Sequence, residues 1–134
     1  MLSEFDLFVR LLLAAGLGAL IGFEREIDDE PAGLRTHMLI CIGATLFTIV
    51  STQFVGASDT SRIAAGVVTG IGFLGAGTIF RSENRVRGLT TAADLWVLAA
   101  AGIAIGIGYY LAAVSAAVIV FAILYLKKIF GRKD

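Results

Sequence analysis

The chain has 134 residues, of which 57% are hydrophobic, and its mean hydropathy is +0.87. Eleven basic and eleven acidic residues give a formal net charge of zero, and only 16% of the residues are charged. A soluble domain would carry about 25% charged residues in amphipathic periods. The composition therefore excludes an ordinary soluble domain, predicts an all-α integral membrane protein, and leads us to expect no nucleic-acid partner.

Five apolar stretches are long enough to be membrane helices, since a bilayer core needs about 20 mostly apolar residues per helix. The fourth and fifth are separated only by a segment with Gly106, Gly108 and two tyrosines. The glycines favour a break there, although four helices plus a re-entrant segment is the alternative. We predict one domain over residues 1–134, a compact bundle of five transmembrane helices at about 5–23, 37–55, 63–80, 89–107 and 109–126.

The basic residues of the loops predict the orientation of the bundle. Nine lie in the 24–36 loop, the 81–88 loop and the C-terminal tail, whereas the 56–62 loop has only Arg62. Cytoplasmic loops carry the excess of Lys and Arg. We therefore predict that the N-terminus faces out and the C-terminus faces the cytoplasm.

With this topology, the polar residues that flank helices 1 to 4 converge on the cytoplasmic end. We expect a functional polar cluster there, made of Glu24, Arg25, Glu26, Arg35, Thr36, His37, Arg81, Thr90, Thr91 and Asp94.

Asp94 is the most informative member of this cluster, because it lies about 7.5 Å inside helix 4 at ~1.5 Å per residue. Ionisable residues inside a membrane usually face the bundle interior with a partner. One reading is a cation or proton ligand, with Glu24 as the other weak metal candidate. The favoured reading is a structural brace to Arg81, Arg25 or Arg35. For His37 we expect a structural hydrogen bond.

Arg10 is the other embedded charge, near the outer end of helix 1. We expect it to extend its side chain outward to the interface, with pairing to Asp6, Glu4 or Asp59 as the alternative. The acidic run Asp28-Asp29-Glu30 could offer oxygen ligands for magnesium, but it is more typical of a solvated loop.

Glycines at four-residue spacing predict close helix packing, because small residues let backbones approach where lipid gives no hydrophobic drive for association. Helix 3 is the richest in glycine, so we expect it to be the central helix. Carbonyls exposed to an ion in an unwound helix 3 are the alternative. The predicted packing glycines are Gly18, Gly22, Gly66, Gly70, Gly72, Gly75 and Gly77, and Gly102 with Gly106 suggests a further contact face.

No nucleophile–base pair and no metal-ligand cluster is apparent, so we expect no enzymatic activity and no cofactor. Cys41 is alone and lies mid-segment, which favours a packing role.

Four motifs in order resemble the MgtC/SapB family of membrane proteins. They are Gly22-Phe23-Glu24-Arg25-Glu26, Gly33-Leu34-Arg35-Thr36-His37, Gly70 to Gly77, and Gly88-Leu89-Thr90-Thr91-Ala92-Ala93 through Leu95-Trp96. The resemblance implies a multi-pass protein of the bacterial inner membrane, linked to adaptation to low magnesium and, in pathogens, to survival in host cells.

Family members have been regarded as magnesium transporters and, more often, as regulators of membrane partners such as the F-type ATP synthase. Many members carry a C-terminal domain of the ACT type, which we expect to be missing after Asp134. Many also have an uncharged residue where this chain has Asp94. Three hypotheses follow: a non-enzymatic regulator of another membrane protein, a small magnesium or other cation transporter, and a scaffold. We expect the chain to lie in the lipid bilayer and to pair with a second copy of itself as a homodimer.

Overall fold

Helices make up nearly all of the fold. The structure is a computed structural model that describes residues 2–53, 59 and 61–130. Within these ranges the helices are α1 (Glu4–Ile27), α2 (Leu34–Ser51), α3 (Ser61–Gly77), α4 (Leu89–Ile107) and α5 (Tyr110–Phe130), with a hairpin of strands β1 (Phe80–Ser82) and β2 (Arg85–Arg87) between α3 and α4.

Four of these helices, all except α3, are long and apolar enough to cross a membrane. The helix α3 has 17 residues, which corresponds to about 26 Å at 1.5 Å per residue and falls short of a ~30 Å hydrocarbon core. The described chain thus contains the five predicted helices, four of them long enough to be membrane spans.

The helix bounds agree best for α4, whose observed range equals the predicted one. The helix α3 ends at Gly77 rather than at residue 80, because the chain turns there and enters β1. At that turn the Thr78 hydroxyl donates to the Gly75 carbonyl at 2.8 Å. The prediction for helix 2 extended to residue 55; α2 ends at Ser51, and residues 54 and 55 lie outside the described ranges.

The central helix is α4 and not α3, which corrects the expectation drawn from glycine content. The helix α4 contacts the other four helices and has nine buried residues, whereas α3 has only two, Ile71 and Gly75. A Cβ at Gly102 or Gly106 would meet atoms of α2 at 2.6 and 2.5 Å. These two glycines therefore allow α4 to lie directly against α2.

The helix α1 approaches α2 in the same way from the other side. A Cβ at Gly18 or Gly22 would meet backbone atoms of Met38 and Leu34 at 2.6 and 2.8 Å. Both glycine pairs thus pack on α2 rather than on each other. The main core between these helices contains Leu17, Ile21, Cys41, Leu98, Ile105, Ala113 and Leu124.

Arg10 neither extends into solvent nor pairs with a carboxylate, so the expectation for this residue was wrong. Its Nη1 donates to the Gly106 carbonyl at 2.5 Å, and its guanidinium lies 5.5 Å from the centroid of the Tyr110 ring. The last carbonyls of a helix lack intrahelical partners and carry partial negative charge. Arg10 therefore caps the C-terminal end of α4, just before the left-handed turn at Gly108 (φ 89°).

Candidate functional site

Four helix ends meet at one end of the bundle: the C-terminal ends of α1 and α5 and the N-terminal ends of α2 and α4. Their side chains form a group of charged and polar residues, buried at its centre and partly exposed at its edge, called the charge cluster below. Its members are Glu24, Arg25, Asp28, Glu30, His37, Thr91, Asp94, Lys127 and Lys128.

Arg25 is the centre of the charge cluster and is only 1% exposed. Its Nε lies 3.2 Å from Asp94 Oδ2, and its Nη2 lies 3.2 Å from Glu30 Oε2. The same Nη2 donates to the Thr91 hydroxyl at 3.0 Å. One guanidinium therefore links α1 to α4 and to the loop between α1 and α2.

Asp94 is held between Arg25 and His37, and its Oδ1 lies 3.1 Å from His37 Nε2. His37 Nδ1 lies 2.8 Å from the Gly33 carbonyl. Because a carbonyl can only accept, Nδ1 carries a hydrogen in this contact. A hydrogen bond between Nε2 and the Asp94 carboxyl then requires a further proton on one of the two groups. Asp94 thus has the kind of structural contact that was predicted: of the three candidate arginines it pairs with Arg25, and His37 is a second partner.

Two lysines at the end of α5 close the charge cluster. Lys127 Nζ donates to Glu30 Oε1 at 2.7 Å. Lys128 Nζ lies 3.6 Å from both Glu24 Oε1 and Asp28 Oδ1. From the sequence these lysines indicated only the orientation of the bundle. Their position at the predicted cytoplasmic end of helix 5, opposite an acidic loop, was the signal that could have assigned them to the site.

The remaining predicted members lie outside the charge cluster. Glu26 has another role: its Oε2 accepts from the Leu34 amide at 2.8 Å and caps α2, which begins after Gly33 without a side-chain cap of its own. The solvent- or lipid-exposed residues are Arg35, Thr36, Arg81 and Thr90, and neither of these arginines is an ion-pair partner of Asp94 among the described residues.

The structure also bears on the metal candidates. Within the described ranges, no three or more His, Cys, Asp or Glu side chains are grouped so that they could hold a metal ion. Glu24 is 5% exposed, and neither of its oxygens has a hydrogen-bond partner. Its ion pairs to Arg25 and Lys128 are long, at 3.7 and 3.6 Å. Glu24 is therefore the least satisfied carboxylate of the charge cluster.

An open polar cavity of about 520 Å³ adjoins the charge cluster. Arg87 and Lys127 line it together with Asp28 and Glu30, and the first residues of α4, Leu89 and Thr90, form part of its wall. The hairpin β1–β2 and the loop between α1 and α2 thus border the same concave surface.

The glycines of α3 are placed differently from those of α1 and α4. Gly75 packs against Ala92 of α4. A Cβ added at Gly75 would lie 3.5 Å from the Ala92 Cβ, which is an ordinary van der Waals distance. Around Gly66, Gly70, Gly72 and Gly77 the part of the chain that the structure describes places no atom within 4 Å of such a Cβ, apart from the neighbouring backbone of α3 itself. The α3 helix itself is continuous from Ser61 to Gly77.

The comparison with known proteins identifies the family. A family model described as the MgtC family matches residues 11–133. The chain belongs to the MgtC family. Combined with its four candidate spans, this makes it a multi-pass bacterial membrane protein. No solved structure gives a significant match.

Relatives in the MgtC family come from several bacteria. YhiD of Escherichia coli strain K12, described as a proposed magnesium transporter, is 50% identical over 119 residues, which cover 82% of this chain and 54% of YhiD. Protein MgtC of Brucella abortus strain 2308 is 49% identical over 107 residues (80% and 45%). Protein MgtC of Salmonella typhimurium strain LT2 is 47% identical over 116 residues (87% and 50%). The chain spans about half the length of these relatives.

Proposed function

We propose that this chain acts in magnesium homeostasis or stress adaptation as a non-enzymatic regulator of another membrane protein in the bacterial inner membrane. Family membership and the magnesium-related name of one relative support the physiological setting. The observation that carries the regulatory role is the pairing of Arg25, which is held by three carboxylates and a threonine. Charges neutralised in this way stabilise helix ends and leave few ligands for a transported ion.

The surface offered to the regulated protein is, in this proposal, the polar face around the 520 Å³ cavity. Arg87 and Val86 are exposed there, beside the half-buried Lys127. The F-type ATP synthase is the candidate partner suggested by the family resemblance. Because loops rich in Lys and Arg stay in the cytoplasm, we place this face in the cytoplasm and the N-terminus outside.

The experiment separates the exposed face from the buried cluster. A strain that lacks the chain is complemented with wild type, Arg87→Gln or Glu24→Gln, and growth is measured at low magnesium. Regulation through the exposed face predicts that Arg87→Gln abolishes complementation and removes a photo-crosslink from a probe placed at residue 86 to a second membrane protein. Growth of Arg87→Gln at the wild-type rate would contradict this proposal.

A cation transporter is the second candidate function, and Glu24 is the observation that favours it. A carboxylate that is 5% exposed and has no hydrogen-bond partner is a plausible cation ligand in a membrane protein. This function predicts magnesium flux into liposomes that contain the purified chain, and loss of flux in Glu24→Gln. Liposomes of verified orientation that pass no magnesium would exclude it.

The orientation has its own test. A single cysteine in place of Glu83, at the tip of the β1–β2 hairpin, should react with a membrane-impermeant thiol reagent only after the cytoplasmic side is opened. Labelling in intact cells would show that the hairpin faces outward and that the predicted orientation is wrong.

A further inference from the structure

Three pairs of glycines at four-residue spacing lie on the helices, and two of them are filled by a helix of the same chain. The pairs on α1 and α4 each lie against α2, so close that an added Cβ would overlap it at 2.5 to 2.8 Å. The third pair, Gly66 and Gly70 on α3, has the same spacing, yet among the described residues no atom beyond the adjoining turns of α3 lies within 4 Å of an added Cβ. This fold therefore uses such pairs for helix contact and leaves one of them vacant.

The vacant pair lines an open apolar groove of about 580 Å³ between α2 and α3. Gly43 of α2 lies in the same groove and also has open space around it. Larger side chains, among them Phe47 and Leu74, form its walls. Glycines flanked by bulky residues form a groove whose shape fits the backbone of a helix. Because lipid gives no hydrophobic drive for helix association, close backbone packing of this kind is what stabilises helix contacts in a membrane.

Charges at one end of the groove point to the occupant. Arg62 lines the groove and is exposed, and Asp59 is exposed three residues earlier. The Asp59 carboxylate accepts hydrogen bonds from the amide and the hydroxyl of Ser61, which fix it at the start of α3. One positive and one negative side chain therefore stand at nearly the same depth beside the open glycines.

We propose that this groove is a homodimer interface, in which the Gly66–Gly70 face of α3 packs against the same face of a second copy. A two-fold axis along the membrane normal brings equal depths together, so Arg62 of each copy meets Asp59 of the other. Such an interface is isologous and self-complementary. An acyl chain would match the apolar walls but has no charged group that could pair with Arg62 or Asp59. The inference is independent of whether the chain regulates a partner or transports an ion.

The first test measures the dimer association constant in lipid bilayers, by fluorescence energy transfer between labelled full chains. Gly70→Leu should lower the association constant about tenfold or more. Gly72→Leu is the matched control, because Gly72 is on the same helix, has equally open space and lies outside the groove. Equal association of the two variants, or a wild-type chain that stays monomeric, would overturn the proposal.

The second test uses the charges. Arg62→Asp and Asp59→Arg should each weaken association, and the double reversal should restore it, since the exchanged charges can pair again across the two-fold axis. A double reversal as weak as the single variants would argue against the pairing.

The third test locates the contact in native membranes. In a Cys41→Ala background, Gly66→Cys should form a disulfide-linked dimer on mild oxidation, because bridged cysteines have Cα atoms within about 7 Å. Gly72→Cys should not. The absence of a disulfide-linked self-adduct from residue 66, or a disulfide only to a different protein, would refute the homodimer.

Discussion

Replacing Asp94 by Asn should strongly destabilise the protein. Asp94 is 4% exposed and contacts Arg25 at 3.2 Å and His37 at 3.1 Å. The substitution keeps the side-chain shape but removes the charge. Removal of one partner of a buried pair costs about 3 to 5 kcal/mol. Because Glu24 and Glu30 still surround the Arg25 guanidinium, we expect the lower end, about 3 kcal/mol.

The assay is the free energy of unfolding in mixed micelles of a mild detergent and a denaturing one, measured as a double-mutant cycle. Arg25→Gln, Asp94→Asn and the double variant should show a coupling of about 2 kcal/mol, since each single change removes the same ion pair. Additive losses, within about 0.5 kcal/mol, would refute a direct Arg25–Asp94 interaction.

The matched control for this cycle is Arg81. It was an equally plausible partner for Asp94 on grounds of depth, but it is exposed on β1 and makes no ion pair with Asp94. Arg81→Gln should therefore change the free energy of unfolding by less than about 0.5 kcal/mol and add to the effect of Asp94→Asn. A strong coupling between Arg81 and Asp94 would show that the hairpin packs differently in the membrane.

Three further predictions concern other contacts. Lys127→Gln should lower the free energy of unfolding by up to about 1 kcal/mol, because its ion pair with Glu30 is only partly buried; an unchanged free energy would show that the pair contributes little. Gly18→Ala should cost about 1 to 3 kcal/mol in the same assay, whereas Gly16→Ala, in open space, should be neutral or stabilising; equal effects would contradict the close α1–α2 contact. Arg10→Met should cost about 1.5 to 3 kcal/mol and speed amide hydrogen exchange at the α4–α5 turn, and unchanged exchange would argue against the cap.

The sequence was sufficient for the long helices and for the end of the bundle at which charges meet. Apolar length gave the range of α4, and the alternation of helix direction placed Arg25, His37 and Asp94 at one depth. The sequence was not sufficient where contacts between segments determine the secondary structure. The β1–β2 hairpin has short, polar strands, and the apolar run before it continues to Phe80, so hydropathy alone extended helix 3 too far.

The sequence also could not predict which of the three arginines pairs with Asp94. Arg25, Arg35 and Arg81 were all predicted near the depth of Asp94. The rotation of α1 and α2 about their axes, and the hairpin that carries Arg81, decide which guanidinium points inward. The structure selects Arg25 because the glycines of α1 bring that helix into contact with α2 beside His37.

The amino-acid sequence by itself determined the class of protein, its family and the helices that can span a membrane, because these depend on composition, local order and apolar length. Only the tertiary structure decided how the glycine pairs are used. Two identical spacings, on α1 and α4, are filled by α2, and the third, on α3, is open. Spacing fixes which residues share a helix face, whereas the packing of the other helices decides what that face meets.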